Sequence, residues 1–325
     1  MNFREKLKRR IAVLIKNFKS DCRFSLWFAM LRIIDEIGWK MHFYKISSIA
    51  HQKKDQWILK YLRKKMDILI QKYRCCDDKG RFEESAPVWV CWWDGEKNAP
   101  DLVKQCIRSI KKYAEARQVV IIDKDSYLKY IEIPDYMISK VENGQMCLAH
   151  LSDYIRVSLI EKYGGLWLDS TIFCADFIPK MYFELPIFTC KSSPVACRYI
   201  SQMRWTTFVL GGWKGNIFYC FLKEAFEEYW SKEEGAIDYL FFDYLIELAR
   251  CEIPAVSKYM ECIPINNLHR DELQVAMNCA VDSKKFKEII KSDTILYKLS
   301  WRESYNLKTY DGKKSIYQYF INSDF

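Results

Sequence analysis

Residues 148–171, LAHLSDYIRVSLIEKYGGLWLDST, constrain the fold of this chain more than any other stretch. Leu148, Leu151, Ile155, Leu159 and Tyr163 recur at steps of three and four, the spacing of one helix face. Asp153 and Arg156 stand three apart, so they share a face of that helix. Gly164 falls where a helix C-terminus favours a left-handed residue. The apolar run after it has the length of a short strand and ends in a carboxylate. From Asp153 to Tyr163 the helix climbs about 15 Å at about 1.5 Å per residue. From Gly165 to Asp169 the strand returns about 13 Å at roughly 3.3 Å per residue. A chain reversal at the two glycines therefore brings Asp169 level with Asp153 and Arg156. Two carboxylates and a guanidinium are predicted to converge at one sheet edge.

A strand-end carboxylate suits a divalent cation or a sugar hydroxyl. An arginine beside it suits phosphate or hydroxyls through its fork of donors. Each residue alone has a plainer reading, as a helix-surface ion pair or an Asp in a turn. The complete pattern S-D-x2-R-x7-G-G-x-W-x-D favours a binding site. Around it, VWVCWW (88–93), QVVIID (118–123) and PIFTC (186–190) have the length and composition of buried strands. A helix is predicted from about Pro100 to Tyr113. This alternation is that of an α/β sheet with parallel members. FYCFLKEAFEEYWSKE (218–233) and IDYLFFDYLIELAR (237–250) are predicted helices.

The charge is unevenly placed. Residues 1–80 hold 20 Lys or Arg against 8 Asp or Glu, so the remainder of a chain of net charge +9 is acidic. The first 80 residues form a predicted basic helical extension, REKLKRRIAVLIKNF, SLWFAMLRIIDEIGWKMHFY and DQWILKYLRKKMDILIQKY in turn. The polar stretch CCDDKGRFEESAP (75–87) is the expected linker to a second unit, residues 81–325. No apolar run reaches the length of a membrane span. No small-residue cleavage site follows the basic start, so a signal peptide is not expected. A basic amphipathic helix suits an anionic leaflet; a water-facing helical cap is the alternative. Nucleic acid is not an expected partner, because no stacking motif accompanies the charge.

Thirteen cysteines are scattered without zinc-type spacing, and only four histidines are present. This favours free thiols in a reducing, cytoplasmic setting, most of them small buried apolar groups. No Walker A, G-x-G-x-x-G or G-x-S-x-G sequence occurs.

On these residues the sequence resembles the capsular polysaccharide synthesis glycosyltransferases, relatives of glycosyltransferase family 32 and, distantly, of the large clostridial toxin glucosyltransferases. The central block LSDYIRVSLIEKYGGLWLDSTIF (151–173) carries the resemblance most specifically. PVWVCWWDGEKNAPDLVKQCIRSIKK (87–112) and IPDYMISK (133–140) extend it, as do AIDYLFFDYLI (236–246) and LYKLSWR (296–302). The resemblance implies the GT-A type of nucleotide-sugar-binding fold, a Rossmann-like α/β sheet with helical additions.

It also implies roles. Trp92 or Trp93, at the end of the first strand, would pack against a nucleobase; the alternative is a core tryptophan. Asp238 and Asp243 stand five apart on a predicted helix, and the resemblance favours Asp238 as a sugar or acceptor contact. Ser300 and Trp301 are similar to a loop that covers the diphosphate, with Lys298 or Arg302 beside it to meet phosphate. Asp153, Arg156 and Asp169 form the expected catalytic cluster. Many enzymes of this fold carry Asp-x-Asp at the strand end, whereas this chain has Asp169-Ser170-Thr171. Mn2+ or Mg2+ is still the expected cofactor. Its ligands would be Asp169 directly or through water, the hydroxyl of Thr171, or a C-terminal residue.

The expected activity is transfer of a sugar, with retention, from a nucleotide-sugar donor such as a UDP-sugar. The acceptor would be a glycan or lipid-linked molecule in cell-surface polysaccharide synthesis. The expected location is cytoplasmic, peripheral on the inner face of the plasma membrane. The rivals are a non-catalytic scaffold, favoured by the missing second Asp, and a nucleic-acid-binding protein acting through residues 1–80.

Overall fold

Five short strands, built largely from β-branched and aromatic residues, carry the fold. The computed structural model describes residue 5, residues 14–15 and residues 17–323. The first expected helix, residues 4–18, lies largely outside the described residues. The elements that position the site begin with helices α1 (Leu26–Lys40), α2 (Tyr44–Lys65) and α3 (Asp67–Arg74). Strand β1 (Val88–Cys91), helix α4 (Asp101–Tyr113), strand β2 (Val119–Ile122) and helix α5 (Asp135–Glu142) follow. Then come helix α6 (Leu148–Tyr163) and strands β3 (Gly165–Leu168), β4 (Ile172–Cys174), β5 (Ile187–Thr189) and β6 (Val209–Gly212). Helices α7 (Ile217–Lys232), α8 (Phe241–Glu252) and α9 (Pro254–Cys262) precede strand β7 (Leu296–Lys298) and helix α10 (Ile316–Ile321).

The main sheet has the order β2-β1-β3-β6-β5. β1 runs parallel to both β2 and β3, while β6 runs antiparallel to β3 and β5. Four strands therefore point one way and β6 alone is reversed, in the mostly parallel, Rossmann-like layer expected from the sequence. β4 and β7 form a separate antiparallel pair, with Ile172 opposite Lys298. That small pairing brings a strand from late in the chain to the end of β3.

The reversal between α6 and β3 depends on both glycines. Gly164 and Gly165 have φ of 71° and 102°. A Cβ on Gly165 would lie 2.2 Å from the carbonyl oxygen of Pro87, and one on Gly164 would lie 2.9 Å from the backbone nitrogen of Lys214. A side chain on Gly165 would push β3 off the chain that leads into β1, and one on Gly164 would press on the backbone at the end of β6. α6 is buried on nearly all sides, at Leu151, Tyr154, Ile155, Val157, Leu159 and Ile160. That burial is why its apolar positions exceed a single stripe.

The N-terminal helices share the core of the sheet domain. Phe28, Ile58, Leu62, Met66 and Ile70 belong to the same buried cluster as Val88, Trp167 and Leu245. Polar contacts add to this: Tyr244 donates to Asp55 at 2.6 Å and Tyr61 to Glu233 at 2.7 Å. The expected linker is itself bonded to the sheet domain. Asp78 accepts from the backbone of Ile217 at 2.9 Å, and Arg81 bridges Lys214. The predicted helix over residues 25–44 stops at Lys40, and His42 turns the chain with φ 63°. α2 starts at Tyr44, earlier than the predicted third helix, so α1 and α2 form a hairpin.

All thirteen cysteines are free thiols, and seven are exposed. This corrects the expectation that most are buried. Cys75 and Cys147 sit at helix ends, where the chain surfaces.

The reversal can be tested by substitution. Gly165→Ala should destabilise the fold by at least about 2 kcal/mol, because backbone must move to admit the methyl group. Gly144 also has positive φ, 70°, but faces open space. Gly144→Ala should cost only about 1 kcal/mol, the conformational term alone. Urea melts of the two variants measure the difference; equal losses would mean that β3 is not held against Pro87.

Candidate functional site

The two glycines deliver Asp169 to the place the helix and strand lengths require. The Oδ1 of Asp169 accepts from Arg156 Nη2 at 3.1 Å and from Trp167 Nε1 at 2.9 Å. Arg156 Nη1 lies 3.2 Å from Asp153 Oδ1 and donates to the carbonyl of Thr207. The guanidinium is buried, 4.9 Å from the ring centroid of Trp167 and 5.7 Å from that of Phe242. Helix, strand and the loop before β6 are thus joined through one side chain.

A second cation arrives from β7. Lys298 Nζ donates to Asp169 Oδ2 at 2.7 Å and to Thr171 Oγ1 at 2.8 Å. The backbone bond from Leu299 N to Thr171 O, at 2.9 Å, fixes that approach. Asp169 therefore sits between Arg156 and Lys298.

These residues line a cavity of about 660 Å3. Trp92, Trp93, Asp153, Arg156, Asp169, Thr171, Lys298, Ser300 and Trp301, all singled out from the sequence, are in its wall. Trp92 meets Trp301 edge to face with centroids 5.7 Å apart, and Trp93 stacks on Tyr127 at 5.8 Å. Arg302 also lines the cavity, its guanidinium 5.3 Å from the Trp301 ring.

Asp238 is not brought to this cavity. It lies before α8 rather than on a helix, and its Oδ2 bonds Arg32 Nη2 at 2.7 Å. It faces a smaller cleft of about 300 Å3 that also includes Arg32, Lys54 and Arg198. Asp243, passed over in its favour, does line the main cavity. The helix starts at Phe241, between the two, so only Asp243 is carried by it. Thr207 acts through its backbone carbonyl, which no sequence motif marks. Asp123 holds its own turn, accepting from the backbone of Ser126 at 2.8 Å and of Asp125 at 3.0 Å.

The carboxyls differ in character. Burial works to raise Asp169, but Lys298 and Arg156 outweigh it and hold the group below its ordinary value. Burial raises Asp153 to about 6, against the pull of Arg156 and His150. Burial also raises Asp243, to about 7, against its hydrogen bond from Trp205 Nε1 at 2.9 Å.

The expected cation ligands are already engaged. Asp169 Oδ2 and Thr171 Oγ1 converge on one point, and the Lys298 ammonium occupies it. Among the described residues no group of three or more His, Cys, Asp or Glu side chains is arranged to hold a metal ion. Asp169 and Thr171 give these oxygens to Lys298; a single carboxylate holds a divalent cation only together with further ligands such as substrate phosphates.

With this geometry in hand, a family model described as capsular polysaccharide synthesis protein matches residues 39–320. The chain belongs to the capsular polysaccharide synthesis protein family. The match starts inside α1, so the family's shared region takes in α2 and α3 as well as the sheet domain. No curated protein matches the chain in sequence. Among solved structures, the PaToxG glycosyltransferase is similar at 16% identity and a TM-score of 0.37, over 66% of this chain and 83% of that one. An overlap that loose carries no further conclusion.

The raised carboxyl of Asp243 gives a pH test. Its proton is held more tightly in the folded chain, so the stabilisation it brings is full below about pH 4 and is lost as pH rises through about 7. Asp243→Asn keeps an acceptor for Trp205 and removes the titration. The melting temperature of the variant relative to wild type should therefore climb between pH 5 and pH 8. A difference that stays flat over this range would place Asp243 in an ordinary solvated setting.

Proposed function

We propose that this member of the capsular polysaccharide synthesis family is a glycosyltransferase. Its donor is a nucleotide-sugar, a UDP-sugar in the simplest case, and its acceptor is a glycan or lipid-linked molecule. The observation that carries the reading is the placing of Arg156, Lys298 and Asp169 together in the wall of one aromatic-sided cavity. The chemical demand is to stabilise a departing diphosphate while positive charge grows on the sugar ring. Arg156 supplies fixed positive charge and Lys298 a movable one for the diphosphate, and Arg302, over the Trp301 ring, adds a third cation. Asp169, held ionised, accepts hydroxyl hydrogen bonds from the sugar or ribose and orients the donor. Trp92 and Trp93 offer flat surface for the nucleobase. Burial raises the carboxyls of Asp243 and Asp153 above their ordinary values, which favours the protonated form that can donate a hydrogen bond. Transfer with retention follows from the resemblance to family 32.

No step in this reading passes through a metal ion. In the proposed site the Lys298 ammonium stands where a cation bound by Asp169 and Thr171 would be. A scaffold without chemistry is the competing reading, and the missing second Asp of an Asp-x-Asp motif is what favours it.

Arg156→Lys tests the fork directly. Lysine keeps the charge but cannot reach Asp153, Asp169 and the Thr207 carbonyl together. Loss of one fork contact in the transition state is worth at least about 1.4 kcal/mol, or about tenfold in kcat/KM. Turnover of a UDP-sugar panel should fall by that much or more, and Asp169→Asn should abolish it while the protein stays folded. Chelation by EDTA should leave wild-type turnover unchanged, whereas Lys298→Ala should remove most of it. A wild-type protein that neither hydrolyses nor is thermally stabilised by any nucleotide-sugar would support the scaffold instead. Turnover lost on chelation and restored by Mn2+ would overturn the metal-free site.

A further inference from the structure

We propose that the α1–α2 hairpin docks on an anionic lipid bilayer through its outer face. Trp27, Met30, Ile34 and Ile37 follow one another at helical steps along α1, and Ile46 and Ile49 continue the surface on α2. These six side chains are 38% to 56% exposed. Isolated exposed apolar residues are ordinary, but a continuous stripe over two helices marks an interaction surface.

The hairpin cannot roll to bury that stripe. Its inner side is clamped by Asp35, which is buried and accepts from Ser47 Oγ at 2.7 Å and from Arg198 Nη2 at 2.7 Å. His51 Nδ1 lies 2.7 Å from the other oxygen of the same carboxylate. Rotation would break this cluster and leave an unpaired buried charge. The hairpin thus buries Asp35 beside Phe28 and Leu31 on its inner side and still leaves an apolar stripe on its outer one, which a water-facing helix pair would not do.

The surrounding charge selects the occupant. Lys19, Arg23, Lys45 and Lys53 are exposed, while the nearby carboxylates Asp21 and Asp35 are buried. Glu36 bonds Lys40. An apolar stripe with a basic rim matches the headgroup and acyl boundary of an anionic leaflet. A second copy of this chain would set the same basic rim against itself. Among the described residues no helix is long and apolar enough to cross a membrane, so the contact is one of lying on the surface. This docking does not depend on which donor or acceptor the cavity takes.

The test uses the full chain and sedimentation with phosphatidylcholine vesicles, with and without phosphatidylglycerol. Wild type should bind the anionic vesicles, and added salt should weaken the binding. Ile34→Ser with Ile37→Ser leaves the charge unchanged and removes two apolar anchors. The pair should weaken partitioning by about tenfold or more, with melting temperature and donor hydrolysis in solution unchanged. Undiminished vesicle binding by the pair, or no binding by wild type, would overturn the proposal. So would a dimer that becomes a monomer in the pair while vesicle binding persists, because a second copy would then be the occupant. Should the pair fail to fold, hydrogen exchange on wild type decides. Slowing over residues 26–49 on adding anionic vesicles supports docking, and none there refutes it.

Discussion

The buried guanidinium of Arg156 is the interaction on which the site depends. It joins Asp153 on its own helix, Asp169 at the strand end and the Thr207 carbonyl before β6. A charge taken out of water must be matched closely, or the loss of hydration outweighs the attraction. Two carboxylates, a carbonyl and the faces of Trp167 and Phe242 provide that match. Its Nε is buried without a hydrogen-bond partner among the described residues. The arrangement is therefore set by the direction of the fork, not by complete saturation of its donors. α6, β3 and the loop before β6 cannot move independently without breaking a buried ion pair.

The convergence of Asp153, Arg156 and Asp169 was legible because it is local. Helix rise, strand rise and a Gly-Gly reversal are quantities fixed by backbone geometry, and the short stretch of chain over 153–169 leaves little freedom. The parallel strands were legible for a similar reason, since VWVCWW and QVVIID are apolar runs separated by one helix. The reversed strand β6 was not, because its sequence, VLGG, is half glycine. Those glycines serve close packing: a Cβ on Gly212 would fall 2.4 Å from the Tyr219 ring. That need is visible only when the partners are in place.

Distant pairings set the other limit. Lys298 meets Asp169 across 129 residues of sequence. The motif around Lys298 suggested a phosphate contact, but nothing in it predicted an ammonium on the very oxygens assigned to a metal. Asp238 and Asp243 show the same limit on a smaller scale. A helix extended over both residues made them look equivalent, whereas the real helix begins between them. Arg32, from the N-terminal helices, then holds Asp238 away from the cavity. The exposed cysteines follow the same logic, since composition reports how many thiols there are and not which helix ends carry them.

The charge balance of the cavity bears on how a donor would be received. Asp169 is surrounded by two cations, and its low proton affinity follows from them. An incoming diphosphate on the proposed reading would compete with Asp169 for the same ammonium and guanidinium. Arg156 is tied at three points and buried, so it cannot follow the ligand. Lys298 has a flexible stem, and its ammonium bonds Asp169 and Thr171 and lies 5.1 Å from the centre of the Phe208 ring, so it can turn toward phosphate without disturbing the sheet. Asp169 would then be freed on one oxygen while Arg156 still holds the other. The freed oxygen is the one able to take a sugar hydroxyl. On the proposed reading, donor binding and donor orientation would be coupled through a single carboxylate: the cation leaving Asp169 for a diphosphate would expose the acceptor for a sugar hydroxyl.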